Sequence, residues 1–288
     1  MRDSHRDCHM QQDLWTDECA PQARAPTRII NFSGTLNGTD YLDSIICGDC
    51  LDVMRAMPAG SVNLIVTSPP YNLLNSTGNG LKKNTRCGKW ANAAIKEGYR
   101  QYGDNMPYAD YVAWQRECVA EMLRLLTDDG AIFYNNKNRV QAGLLQDRRE
   151  ILAGFPLRQI ITWKRSGAIN FNAGYFLPVT EQIYLLCGKN FRLSPGANKF
   201  TDVWEIKQEM KNPHPAPYPE ALIDRILHSA PGAVVLDPFG GSGTTAVCAR
   251  RHGRQFILIE QSPAYCEMAR KRIDNEDWRH VPNDISEN

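Results

Sequence analysis

The sequence predicts an α/β protein built on a doubly wound, mostly parallel sheet. Two patterns predict it. Short apolar runs of strand length alternate along the chain with segments of helical spacing. One run, residues 234–237, leads through a glycine cluster directly into a helical segment, the strand–loop–helix unit of such folds.

The elements follow in order. Residues 1–40 hold Pro, Gly, Asn, Thr and Ser with little apolar periodicity and are expected to form a loosely ordered arm. Residues 44–49 read as a strand ending in a Gly-Asp turn, and 50–57 as one or two helical turns closed by Pro58-Ala59-Gly60. Residues 62–66 form an apolar run of strand length that stops at Pro69-Pro70. The polar, Gly-rich and basic stretch 72–107 is expected to be a loop. Tyr111, Val112, Trp114, Val119, Met122, Leu123 and Leu126 lie mostly at helical spacing, so 108–126 is a helix, stopped by Thr127-Asp128-Asp129-Gly130. Strands are predicted over 131–134, 158–163, 181–187, 234–237 and 256–260, and helices over 219–229, 244–252 and 263–274. Residues 188–217 read as irregular and proline-rich, and 281–288 as a polar tail. A single domain over 41–280 is therefore expected.

Composition narrows the classes. The chain has 288 residues, 42% of them hydrophobic, enough for a sizeable core. No apolar run is long enough for a transmembrane helix, and the first twenty residues lack the apolar centre of a signal peptide. A reducing cytoplasm with no membrane association is the expected setting. The 9 cysteines are odd in number and scattered, which fits that compartment. Cys47-Gly48-Asp49-Cys50 is the sole CxxC, and no second pair follows at zinc-ribbon spacing. His5, Cys8, His9 and Cys19 make an equally thin case for a metal, so reduced thiols are preferred and no metal is expected. A net charge of +1 does not advertise a nucleic-acid binder, so any basic surface must be local.

Two motifs carry chemistry. The first is Ser68-Pro69-Pro70-Tyr71, at the carboxyl end of a buried strand, where open α/β sheets bind ligands. An exocyclic amine on an aromatic ring is a poor nucleophile, because its lone pair is delocalised. Two acceptors on its hydrogens, the Ser68 hydroxyl and the Pro69 carbonyl, would favour a tetrahedral, more nucleophilic nitrogen, and the consecutive prolines stiffen that backbone. Tyr71 offers a face on which an extruded base would stack. A proline-rich turn with no ligand is the plainer alternative for this motif alone.

The second motif is Asp237-Pro238-Phe239-Gly240-Gly241-Ser242-Gly243-Thr244. Glycine admits close backbone approach to a ligand, and the following helix start supplies unpaired N–H groups. Glu260, ending the next strand, stands where a carboxylate accepts from ribose hydroxyls. A phosphate-binding P-loop is excluded because its Lys is missing, and the dinucleotide fingerprint GxGxxG is not matched. A tight strand–helix turn without a ligand remains open on this motif alone.

Taken together, and in this order, the two motifs resemble the beta class of DNA amino-methyltransferases over about residues 44–275. The resemblance implies an S-adenosyl-L-methionine-dependent methyltransferase (Rossmann-like) fold, circularly permuted so that the amine motif precedes the cofactor motif. It implies that Asp49 and Cys50 wall the cofactor, which accounts for the CxxC without metal or redox chemistry, and that His214 lies in a segment lining its methionine end. Many members carry Thr-Gln-Lys-Pro after His-Pro; here His214-Pro215 is followed by Ala216-Pro217-Tyr218-Pro219, so a Lys contact is missing. Ser68 as the first residue of the amine motif resembles cytosine-N4 enzymes, whereas Asp there marks adenine-N6 enzymes. Cytosine-C5 chemistry needs a Pro-Cys nucleophile, and the chain contains none.

The implied partner is double-stranded DNA. Between residues 76 and 100, six basic residues (Lys82, Lys83, Arg86, Lys89, Lys96 and Arg100) face one acid, Glu97, with Trp90, Tyr99 and Tyr102 nearby. This stretch is expected to contact phosphates, with a solvated charged loop as the alternative. Trp163-Lys164-Arg165 are expected to contact the flipped base or the DNA backbone, with a structural, packed Trp as the alternative. Residues 188–213 occupy the family's target-recognition position but are short, implying a short target or help from a second subunit, as in a homodimer. A restriction–modification role near the nucleoid follows from the resemblance alone. An adenine-N6 enzyme and a catalytically silent DNA-binding or cofactor-sensing protein on the same fold are the alternatives.

Overall fold

The computed structural model describes residues 25–36, 38–72, 106–141, 143–167, 173–208 and 219–275. Among these, eleven strands and five α-helices occur. The strands are β1 (Arg28–Asn31), β2 (Ser44–Cys47), β3 (Val62–Thr67), β4 (Leu126–Asn136), β5 (Arg139–Gln141), β6 (Leu144–Gln146), β7 (Leu157–Lys164), β8 (Thr180–Cys187), β9 (Val203–Glu205), β10 (Val234–Asp237) and β11 (Gln255–Glu260). The helices are α1 (Cys50–Ala56), α2 (Tyr108–Leu125), α3 (Glu220–Ser229), α4 (Thr244–Arg251) and α5 (Pro263–Asp274).

Nine strands form one sheet in the order β1-β2-β11-β10-β3-β4-β8-β7-β9, while β5 and β6 pair apart as a hairpin. From β1 to β4 every neighbouring pair is parallel. β8 runs antiparallel to both β4 and β7, and β9 pairs in parallel with β7. The doubly wound, mostly parallel sheet is thus as the sequence predicts.

Side chains alternate across the sheet, as the two-residue period of a strand requires. Ile45, Leu64, Val66, Val235 and Leu258 pack on one face with α3, α4 and α5. Ile46, Ile65, Leu236, Ile257 and Ile259 pack on the other with α1 and α2. Both faces of the central strands are covered, which is why they read as continuous apolar runs rather than alternating ones.

Four departures from the sequence reading have local causes. Arg28–Asn31, expected within the loose arm, is an edge strand whose short apolar pair Ile29-Ile30 is only half-buried against β2. β9 lies inside the stretch expected to be irregular; Phe191, Ala197, Trp204 and Ile206 around it are core residues. β4 begins at Leu126, directly where α2 ends, although the apolar pattern marks only its second half. The β5–β6 hairpin and a 3-10 turn over Arg148–Leu152 are additions that no sequence pattern announces.

The two motif-bearing strands are tied together at their ends. The Thr67 hydroxyl donates to Oδ1 of the buried Asp237 at 2.7 Å, and the Thr245 hydroxyl donates to its Oδ2 at 2.7 Å. The Phe239 backbone N–H adds a third bond to Oδ1 at 3.1 Å. Replacing Thr67 by the isosteric Val leaves one buried carboxylate oxygen short of a donor, and about 1–3 kcal/mol of stability is lost. Equilibrium denaturation of Thr67→Val against the wild type measures it, and an unchanged midpoint would show the bond to be dispensable.

Candidate functional site

A row of loops lines the carboxyl edge of the parallel strands. β2 ends at Cys47 opposite Glu260 of β11. β10 ends at Asp237, and its neighbour β3 ends at Thr67, opposite Tyr134 of β4. Because β8 is reversed, its beginning rather than its end reaches this edge: Asn135 and Asn136 of β4 stand opposite Ile183 and Gln182. Glu181, one residue earlier, thereby arrives beside the amine motif.

On the glycine side, Asp49 caps α1, its Oδ1 accepting from the N–H groups of Leu51 (2.9 Å) and Asp52 (3.3 Å). Cys50 is buried, with its sulfur 4.0 Å from that of Cys118, while the Cys47 sulfur lies near the Gln261 carbonyl. The two thiols of the CxxC therefore have separate neighbours. Burial raises the Cys118 thiol well above its ordinary pKa, with the Cys50 thiol adding to the effect.

Glu260 grips the loop itself. Its Oε2 accepts from Gly241 N–H at 2.9 Å and its Oε1 from Ser262 N–H at 2.8 Å. Burial raises its pKa in spite of these bonds. Gly240 packs so tightly that a Cβ there would collide with Cγ and both Cδ atoms of Leu258. Gly243, the N-cap of α4, has φ +83, a left-handed conformation that glycine adopts at no steric cost.

A scaffold that sequence patterns do not single out stands behind the loop. Arg272 of α5 donates to the Ser242 hydroxyl at 3.2 Å and to the Thr244 hydroxyl at 2.9 Å, and pairs with Glu220 of α3. Glu220 also pairs with Arg251 at 2.8 Å. Burial opposes ionisation of Glu220, but the bonds from Arg251 and Arg272 outweigh it and hold its pKa below the usual value.

On the amine side, the backbone of the Ser68-Pro69-Pro70-Tyr71 turn is held from behind. The Tyr111 hydroxyl donates to the Pro70 carbonyl at 2.9 Å, and Arg148 donates to the Tyr71 carbonyl at 3.1 Å. Arg148 is itself buried, with its guanidinium 4.8 Å from the Tyr111 ring centre. Among the described residues no hydrogen bond reaches the Pro69 carbonyl. Asn72 exchanges two bonds of 2.8 Å with the backbone of Met106.

The side chains of this turn enter a polar cluster. The Ser68 and Tyr71 hydroxyls are 2.8 Å apart. Tyr71 donates to Oε2 of Glu181 at 3.1 Å. Asn135 Nδ2 lies 3.3 Å from the Ser68 hydroxyl, 2.9 Å from that of Tyr71 and 3.0 Å from Glu181 Oε2. Oε1 of Glu181 is 3.4 Å from Arg165, both side chains being buried. Lys137 is close by; burial, and then repulsion from Arg165, lower its pKa, partly offset by Glu181. Sequence reasoning misses Asn135, Lys137 and Glu181, and it names Arg165 only as a candidate base or DNA-backbone contact. Their one sequence signal is polar residues within or beside apolar strands.

The structure thus brings Ser68, Pro69, Pro70 and Tyr71 next to the loop from Asp237, Pro238 and Phe239 through Thr244, with Asp49, Cys50 and Glu260 farther along the same edge. Both oxygens of Asp237 take bonds from within the protein, and through them it joins the two motifs. Trp163 is 2% exposed and donates its indole N–H to the Ile206 carbonyl at 2.8 Å, so it packs in the core and has no face for DNA. Lys164 is exposed and paired with Glu205. Lys82, Lys83, Arg86, Lys89 and His214 lie outside the described residues.

Comparison with known proteins agrees with this layout. Residues 62–271 match the family model for N6/N4 DNA methylases, described as DNA methylase. The chain is 26% identical to the type II methyltransferase M.HinfI of Haemophilus influenzae, over 86% of this chain and 72% of that protein. It is 27% identical to the type II methyltransferase M.HpaI of Haemophilus parainfluenzae, over 84% and 81%. Among solved structures, the cytosine-N4-specific PvuII DNA methyltransferase superposes with a TM-score of 0.61 at 19% identity, covering 84% of this chain and 88% of that one. The complex of M1.HpyAVI with SAM superposes at 0.51 and 21% identity, covering 79% and 98%. These structural likenesses establish the shared fold.

Gly240→Ala drives a methyl group into Leu258 and is expected to cost about 1–3 kcal/mol. Thermal unfolding of the variant reads this loss, and an unchanged Tm would show that the loop gives way without strain.

Proposed function

This chain belongs to the N6/N4 DNA methylase family, and from that premise we propose that it transfers a methyl group from S-adenosyl-L-methionine to the exocyclic N4 amine of a cytosine turned out of double-stranded DNA. The observation that carries the reading is the adjacency of the two motif loops, which leave neighbouring strands at one edge and are joined through Thr67 and Asp237.

The donor set suits the cofactor. Ribose hydroxyls and an adenine amine are hydrogen-bond donors, and the carboxylates of Asp49 and Glu260 flank the glycine loop as acceptors. Cys50, Asp237, Pro238, Phe239, Gly240, Gly241, Ser242, Gly243 and Thr244 complete the proposed wall, with His214 assigned to it from sequence alone. When bound, S-adenosyl-L-methionine supplies an electrophilic methyl group on a sulfonium. The chain's own part is to hold the amine in line with it, where orientation supplies much of the rate. The Ser68 hydroxyl and the Pro69 carbonyl accept from the two amine hydrogens, Tyr71 stacks on the base, and Pro70 stiffens the turn. Lys82, Lys83, Arg86, Lys89 and Lys164 supply charge for the DNA backbone. The choice of cytosine rests on Ser68 standing where adenine-directed relatives have Asp.

Mass spectrometry of nucleosides from DNA of cells expressing the chain is expected to reveal N4-methylcytosine. N6-methyladenine alone would transfer the reading to adenine, and no modified base would favour a silent binding protein. Glu260 supplies a second check. Its pKa is raised, so on acidification it takes up a proton earlier than an ordinary carboxylate does and loses acceptor capacity. Affinity for S-adenosyl-L-methionine, measured by calorimetry across pH, therefore falls towards acid in the wild type, while Glu260→Gln binds more weakly at neutral pH with a flatter profile. Identical profiles would remove Glu260 from the cofactor site.

A further inference from the structure

The polar cluster beside the amine motif has a direction, and Glu181 sets it. A carboxylate only accepts hydrogen bonds, and a phenol has one hydrogen to give. With the Tyr71 hydrogen donated to Glu181 Oε2, the 2.8 Å bond between the Ser68 and Tyr71 hydroxyls must run from Ser68 to Tyr71. Asn135 Nδ2, a donor facing all three oxygens, reinforces that polarity. The Ser68 hydrogen is thereby turned inwards, and its oxygen retains lone-pair capacity for an incoming donor. We propose that Glu181 is a positioning residue that acts through Tyr71 to present Ser68 to the substrate amine as an acceptor rather than a donor. Tyr71 thus has a second task besides stacking, carried by its hydroxyl. The inference rests on the reading that Ser68 receives the amine.

The ion pair makes the direction depend on a true carboxylate. Arg165 faces Oε1 at 3.4 Å and can only donate. In Glu181→Gln the amide oxygen is drawn to Arg165 and the amide N–H₂ is left facing Tyr71. Tyr71 then accepts from residue 181 and donates to Ser68, and the Ser68 hydrogen turns outwards towards the amine, where donor meets donor. Tyr71→Phe breaks the same chain at its middle while keeping the ring.

The test uses the full chain, S-adenosyl-L-methionine and unmethylated genomic DNA, with single-turnover methyl transfer as the readout. Glu181→Gln and Tyr71→Phe are each expected to slow transfer about ten-fold or more, the effect of a lost or reversed charge-assisted hydrogen bond. Affinities for cofactor and DNA should stay within about two-fold, a split between rate and binding that a general loosening of the fold would not give. The double variant should be no slower than the worse single one, because both act on one chain. Wild-type rates in both single variants, or a double variant whose loss is the product of the two, would overturn the proposal. If Glu181→Gln fails to fold, Tyr71→Phe decides alone, and a wild-type rate there overturns it. Ser68→Ala separates the two levels of the argument. A wild-type rate in Ser68→Ala defeats the amine reading itself, whereas a slow Ser68→Ala beside fast Glu181→Gln and Tyr71→Phe defeats only the role of Glu181.

Discussion

The buried carboxylate of Asp237 joins the two halves of the candidate site. It sits at the end of β10 and takes hydroxyl bonds from Thr67, at the end of β3, and from Thr245, in the first turn of α4. An unpaired charge in such a place is strongly unfavourable, and three donors within reach compensate for its lost hydration. The consequence is geometric. The amine turn starts one residue after Thr67 and the glycine loop one residue after Asp237, so one carboxylate fixes the origin of both. Transfer between two ligands depends on their relative placement far more than on the affinity for either, and that placement is set here, in the core.

Around this joint, charged side chains hold flexible backbone from behind. Arg272 binds the hydroxyls of Ser242 and Thr244 and is itself anchored by Glu220. Arg148 and Tyr111 hold the carbonyls of Tyr71 and Pro70. Partly buried ion pairs such as Arg272–Glu220 add little net stability, because desolvation and solvent screening offset attraction. A glycine loop and a proline turn each need such a frame. Glycine brings close approach at the expense of stiffness, and two prolines lack the N–H groups that would tie the turn to its neighbours.

The central strands were legible because both their faces are covered, leaving unbroken apolar runs such as residues 256–259. The glycine loop and the amine turn were legible because their backbone geometry demands particular residues. β1 and β9 were not: each has three or four residues at a sheet edge, too few for a period to show. Trp163 carried no sign of its burial, since an aromatic residue near the end of a strand reads the same whether it packs or protrudes. The part of Asp237 as a joint between the motifs was not legible, because composition does not reveal which donors face a carboxylate.

By itself, then, the amino-acid sequence determined the α/β architecture, the order of the two motifs and the residue types that chemistry on an amine requires. These are local properties, written in periodicity and in the steric demands of Gly and Pro. Tertiary structure alone decided who stands beside whom. The reversal of β8 carries Glu181 to an edge otherwise built from strand ends, and there it meets Tyr71 and Asn135. No spacing along the chain foretells that meeting, because the direction of a strand is settled by its pairing with β4 and β7 and not by its own residues.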